Sequence, residues 1–411
     1  MRIFLFLLLL SNVQIFGQQN PLIEILKGNS EEFEDYLTHP EKYRIGIIYT
    51  QIDRDAQNKP TFRDFSYFGY PDGYFYPAST VKFPMALLAL EKINELKIVG
   101  LDAHSPLMIG YGRPPQTAVT EDSTSENGLP SIAHYVKKIM LVSDNDAFNR
   151  LYEFMGRCEI NKILHSKGYT GTEILHRLAL FNFNLNDNGY TNPITFFKDS
   201  ELLYHQGERF CETGATLERK EKYLGIGHID NEGQLVDKPF PFLEKNLATL
   251  QDLHQMMKAT IFPELYQGSQ FGFNLTPEDY QLLYEYMSKW PSETKYPNYT
   301  NLNENYVKFL MLGDGKYIKP AGLRIFNKIG MAYGFLTDIA YIIDTDTGVE
   351  FLLSATIHVN DNQIYNDVVY EYDTKGLPFL SRLGQYIYEF EKQREKEFIP
   401  DFSKVLINTK K

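Results

Sequence analysis

The sequence predicts a chain of the α/β class, of the α+β type: one antiparallel sheet flanked by helices, beside an all-helical lobe. Three observations predict it. Segments rich in β-branched and aromatic residues lie toward both ends, at Arg44 to Ile52 and Phe62 to Tyr70, then at Arg324 to Lys328, Thr337 to Asp344 and Val349 to His358. The last two are joined at Thr345-Asp346-Thr347-Gly348 in the manner of a hairpin. Between the two groups, stretches with helix signals predominate. The end segments are expected to share one sheet, and a pocket between sheet and helices is the usual place for a site.

Each element has its own signal. Ile3 to Leu10 is an unbroken apolar run behind Arg2, with a plausible cleavage zone after Gly17, so residues 1–17 read as a secretory leader too short for a membrane span. Export to the periplasm or beyond is the expected localisation, with no integral membrane segment once the leader is cut. Pro21 to Tyr43 reads as one or two short helices. Met85 to Leu96 is apolar around most of its circumference and should be a buried helix. Leu101 to Ser125 carries Gly110, Gly112, Pro114 and Pro115 and reads as a surface loop. Ser131 to Met155 is helical with a break near Ser143. Residues from about 181 to 243 show no clean period and read as a loop-rich insertion; a loop that long is more often functional than a tidy connection. Thr249 to Thr260 and Thr276 to Trp290 are helical, the second opening on Thr276-Pro277-Glu278-Asp279. Leu377 to Phe398 closes the chain as a helix. The expected organisation is one unit over 18–411, with a sheet lobe at about 18–75 and 320–411 and a helical lobe at about 76–319.

Composition narrows the function. Of 411 residues, 41 are basic and 53 acidic, a net charge of −12, which argues against a nucleic-acid partner and otherwise describes a solvated surface. The nine His form no spaced cluster with Cys or acidic residues, so neither a metal site nor another cofactor is expected. Cys158 and Cys211 could form one disulfide or stand as independent thiols, and their spacing does not decide between these.

Three short motifs carry chemistry. In Tyr76-Pro77-Ala78-Ser79-Thr80-Val81-Lys82, Ser79 and Lys82 are three apart and share one face of a helix. A serine hydroxyl is a weak nucleophile until a base takes its proton, and a lysine in a poorly solvated place can lose its charge and be that base. In Val142-Ser143-Asp144-Asn145, Ser143 can shuttle a proton and Asn145 can hydrogen-bond a lysine or a substrate amide; equally, the stretch could be a helix N-cap. In Asn327-Lys328-Ile329-Gly330-Met331, a lysine on a strand edge followed by a glycine that permits close approach could hold an anionic substrate, or could be a surface lysine beside a bend.

Taken together and in this order, these motifs resemble those of the class A serine β-lactamase and penicillin-binding protein superfamily, S-x-x-K, S-D-N and K-T-G. The context resembles it too, in Met140-Leu141 before Ser143, Ala147 and Asn149 behind it, and Tyr333-Gly334 with Asp338-Ile339-Ala340 after the third motif. The resemblance covers most of Arg44 to Lys167 and Thr249 to His358, and not the insertion. It implies a β-lactamase/transpeptidase-like fold and an acyl-enzyme on Ser79, with Lys82 as base, Ser143 passing protons, Asn145 holding Lys82 or the substrate, and Lys328 supplying a positive field. Gly330 and Met331 would border the substrate, the backbone N–H groups of Ser79 and Met331 forming the oxyanion hole. The chain also departs from the pattern. Ala179 stands where the family's β-lactamases carry the Glu that activates deacylating water, and Glu173 and Glu201 are the acids nearby in sequence. Ile329 replaces the hydroxyl residue of the third motif, and Leu336 stands about where some members carry an Arg. Three functions follow as expectations: an exported serine hydrolase or acyltransferase acting on a small molecule or cell-wall peptide and poor at β-lactam turnover; an atypical β-lactamase with a displaced base; or a catalytically reduced binding protein of the same fold.

Overall fold

The computed structural model describes residues 20–71, 73–180, 182–219 and 221–406. The leader reading of residues 1–17 lies outside them. The main sheet has five strands: β1 (Gly46–Arg54), β2 (Pro60–Phe68), β3 (Leu323–Ala332), β4 (Phe335–Asp344) and β5 (Val349–His358). Their order is β3-β4-β5-β1-β2 and every pairing is antiparallel. The chain's two ends thus meet at the β1–β5 ladder, where Ile48 lies opposite Ser354. Strand β3 is an edge, which leaves one side of its backbone open toward the helices.

Alternation along the strands sorts the two faces. On one face, Ile48, Ile52, Phe326, Ile339, Tyr341 and Leu352 are buried against the helices Lys82–Leu96, Ile132–Val142, Asn145–Met155, Leu250–Ile261 and Pro277–Ser288. On the other, Ile47, Tyr49, Ile329, Leu336, Phe351 and Ala355 pack on the helices Pro21–Gly28 and Leu377–Gln393. Burial on both faces is why these strands read as nearly continuous apolar runs.

Several boundaries differ from expectation. The N-terminal region forms three helices, Pro21–Gly28, Ser30–Thr38 and Pro40–Tyr43, because Asn29 and the His39-Pro40 step interrupt the run. The closing helix stops at Gln393. Among its described residues, the region read as loop-rich holds eight short strands of two to six residues, including Ile194–Lys198, Glu201–Gln206 and Gly227–Ile229. Segments that short cannot display a period. The two cysteines are bonded, Cys158 to Cys211, across 53 residues. Among the described residues no helix is long and apolar enough to cross a membrane.

Candidate active site

The first motif lies on a 3₁₀ turn, Ala78–Val81, that runs into the helix beginning at Lys82. Side chains three apart eclipse on such a turn, so Lys82 comes directly over Ser79. The turn enters through Ala78 at φ 46°, a left-handed conformation that costs a residue bearing a Cβ. The second motif is a junction of two helices. Ser143 ends the helix Ile132–Val142 at φ 57°, its N–H donating to Ile139 O. The N-cap of the next helix is Asp144, whose carboxylate accepts from Ala147 N–H at 2.8 Å. The capping reading of this stretch therefore falls to Asp144, which leaves the side chains of Ser143 and Asn145 for the site.

Gly330 fits the third motif against the first. A Cβ there would lie 2.5 Å from Pro77 O and 3.1 Å from Ser79 N, so only glycine lets β3 approach the Ser79 turn this closely. Two residues earlier on the same face, Lys328 Nζ donates to Ser143 Oγ and to Ile329 O, both at 2.8 Å.

The five side chains singled out from the motifs converge. Lys82 Nζ donates to Ser79 Oγ at 2.9 Å and to Asn145 Oδ1 at 2.8 Å, reaches Ser143 Oγ at 3.2 Å and bonds the Ser143 carbonyl. Its pKa is lowered to about 7, because burial penalises the ammonium and Asp144 opposes this only in part. Burial also pulls Lys328 well below the usual lysine range, reinforced by the positive charge of Lys82. Ser143 Oγ thus lies between two amines, and a continuous hydrogen-bonded path runs Ser79–Lys82–Ser143–Lys328.

These groups open onto a cavity of about 510 Å³. Ser79, Asn145 and Met331 line it, as does the loop around Ala179. That loop is held from behind: Asn149 Nδ2 donates to Leu178 O, Leu178 N–H donates to Asn149 Oδ1, and the buried Arg177 pairs with Glu153 at 3.3 Å. Ala179 itself is at φ 55° and exposed. Among the described residues no Asp or Glu lines the cavity. Glu173 is committed elsewhere: it is buried, pairs with Arg219 at 3.1 Å and accepts from Thr216 N and Oγ1. Glu201 is exposed on its own short strand. Ile329 and Leu336 both belong to the apolar core on the far face of the sheet, where Leu336 packs on Gly376, and neither is among the residues that line the cavity.

Sequence reasoning missed what the insertion adds. Lys245, Phe240 and Asn231 line the cavity, joined by His176, Tyr333 and Asn366. An aromatic cluster of Tyr74, Tyr76, Phe240, Phe242 and Tyr365 forms this wall, with Tyr76 and Tyr333 rings 5.2 Å apart. His176 is held neutral, its pKa lowered to about 4 by burial and then by Lys245. Its Nδ1–H donates to Arg177 O at 2.5 Å and its Nε2 accepts from Asn246 N–H at 3.2 Å, so both nitrogens are occupied. A signal was present in the density of aromatic residues through the insertion, but nothing in it indicates a direction.

Comparison with known proteins gives the same family by a separate route. No curated protein matches the chain. Among solved structures, the chain is similar to a β-lactamase from Desulfarculus baarsii, with 14% identity, 89% of this chain and 97% of that chain covered, and a TM-score of 0.47. It is likewise similar to a β-lactamase from Burkholderia phymatum (12%, 90% and 100%, 0.48) and to PBP-A (16%, 91% and 97%, 0.49). Residues 30–390 match the profile of the beta-lactamase enzyme family. That span is most of the chain and contains every motif described above, and the chain belongs to the beta-lactamase enzyme family.

Proposed function

We propose that this protein is an exported serine hydrolase or acyltransferase that forms an acyl-enzyme on Ser79 and releases β-lactam-derived acyl groups slowly. The observation that carries the reading is the contact of Lys82 Nζ with Ser79 Oγ at 2.9 Å, in a setting that holds the lysine near pKa 7. The neutral amine takes the proton of Ser79 as Oγ forms its bond to the substrate carbonyl carbon. As the bond to the leaving group breaks, Ser143 passes a proton to it and is replenished from the flanking amines. The backbone N–H groups of Ser79 and Met331 serve the oxyanion, with Gly330 allowing the two segments to meet.

Release by water asks for a second base aimed at the ester carbonyl. Ala179 supplies none, no carboxylate among the described residues lines the cavity, and both nitrogens of His176 are hydrogen-bonded. General bases typically contribute about 10²–10⁴-fold, so deacylation should lag acylation by a comparable factor. Export is supported by the apolar run Ile3 to Leu10 and by the Cys158–Cys211 disulfide, a bond that persists mainly in oxidising compartments. A penicillin pulse followed by intact mass spectrometry tests the reading. The expected result is a single adduct on Ser79 that survives for minutes or longer; rapid multiple turnover of a chromogenic cephalosporin would replace it with a β-lactamase whose base lies elsewhere.

A further inference from the structure

Strand β3 gives the cavity two ends. Ser79 faces β3 at Gly330. In one direction lie Lys328 and Ser143, the proton path. In the other lies Tyr333, in the turn that follows the last residue of β3, Ala332, where it lines the cavity. Because Ser143 serves the departing group, the leaving group occupies the Lys328 end and the acyl portion the Tyr333 end. That assignment rests on the acyl-enzyme reading above.

At the Tyr333 end stands Lys245. Its Nζ lies 5.3 Å from the Phe240 ring centre and 5.6 Å from that of Tyr333. Its backbone is fixed on both sides, the N–H donating to Phe242 O at 3.1 Å and the carbonyl accepting from Arg219 Nη2 at 2.9 Å. Arg219 is in turn locked by the buried Glu173. Among the described residues Lys245 forms no ion pair, and no acid lines the cavity it borders. A cation held between two ring faces, half-buried and without a counter-ion, is arranged for an anion that arrives with the substrate.

We propose that Lys245 recognises a negative charge on the acyl portion of the substrate, so that the natural acyl donors of Ser79 carry a carboxylate several bonds from the reacting carbonyl, on a chain whose apolar part lies against Phe240 and Tyr333. The charge is recognised on the acyl side and stays with the enzyme after the leaving group has gone.

The test compares two chromogenic esters, mono-p-nitrophenyl glutarate and its carboxamide counterpart. In each, Ser79 Oγ forms the new ester bond, Lys82 takes the serine proton and p-nitrophenolate leaves, so the burst reports acylation. The wild-type protein should acylate faster with the carboxylate ester by about tenfold, the discrimination that one charge-assisted contact supplies. In Lys245→Met that ratio should fall toward one, and in Lys245→Glu it should invert. A wild-type ratio near one, or a ratio unmoved in both variants, overturns the proposal. Glutarate binding to Ser79→Ala, followed by calorimetry, reads recognition without chemistry: binding weakened at least several-fold by adding Lys245→Met supports the proposal, and equal binding overturns it. Failure of the acyl-enzyme reading shows separately, as absence of a fluorophosphonate adduct on wild-type Ser79.

Discussion

A lysine ammonium in water keeps its proton to about pH 10.4. At Lys82 three N–H donors meet Ser79 Oγ, Asn145 Oδ1 and the Ser143 carbonyl, an arrangement that suits the charged form. Burial outweighs it and brings the pKa to about 7. Loss of one proton then frees a lone pair beside the Ser79 hydroxyl. In the proposed role of Lys82 the neutral amine is the active form, so the acylation rate should rise as pH passes through about 7 and level off above it. Stopped-flow labelling with a fluorescent penicillin between pH 5.5 and 9 checks this, and a flat profile would exclude Lys82 as the base. Lys82→Arg keeps the charge but cannot deprotonate, so acylation should fall by about 10²–10⁴-fold; a rate within a few-fold of wild type would reduce Lys82 to a source of charge. Ser79→Ala should abolish labelling while leaving the melting temperature nearly unchanged, because only one hydroxyl leaves a half-buried position. These residues were legible because each lies in a contiguous motif whose chemistry and helical spacing are local. Lys245 was not, since its place at the cavity depends on how the region without a period just before it folds back.

At the scale of elements, the close approach of β3 to the Ser79 turn is the most exposed to mutation. In Gly330→Ala the new methyl would fall 2.5 Å from Pro77 O, a backbone atom that cannot swing aside. Strand and turn must separate, which shifts Met331 N–H and Lys328 relative to Ser79. A misplacement near 1 Å can cost about 10²-fold, so acylation should drop by that order with the fold retained, as judged by labelling rate and circular dichroism. Wild-type labelling by this variant would show that the approach is not needed for catalysis. Strands β1, β4 and β5 were readable because burial on both faces selects nearly unbroken β-branched and aromatic runs, whereas β2, exposed along much of its length, was readable from Phe62, Phe65, Tyr67 and Phe68. The helix Pro277–Ser288 was readable because Thr276 and Asp279 form its capping box. Ile329 and Leu336 mark where element-level reading failed. Motif position placed them beside the substrate, whereas strand alternation and the buried cluster place them in the far core.

For the molecule as a whole, the Cys158–Cys211 bond decides how firmly the catalytic face is assembled. It links the helix Arg157–Ser166 to Cys211, the residue after the short strand Arg209–Phe210, which pairs with Tyr190–Thr191. The chain closed by the bond includes Arg177, Ala179 and Phe183, which line the cavity. Its junction is also fastened by Arg157, which donates to Cys211 O at 2.6 Å and Leu185 O at 2.8 Å, and by Arg209, which pairs with Glu159 at 2.6 Å. The bond could not be read from the sequence, because a separation of 53 residues says nothing about the 5.7 Å between the two Cα atoms. In the chain-entropy account, closing a loop of that size restricts the unfolded state by about 4 kcal/mol, and removal of native disulfides typically costs about 2–5 kcal/mol. Cys158→Ser/Cys211→Ser should therefore unfold at lower denaturant, with a loss within that range. Ser79, Lys82, Ser143, Asn145 and Lys328 all lie outside the closed segment, so the folded variant should still take a fluorophosphonate label on Ser79. Urea titrations of oxidised wild type, reduced wild type and the double variant measure the effect. The two thiol-free or reduced states should share one lower midpoint, and three coincident midpoints would mean that the arginine contacts alone hold this wall in place.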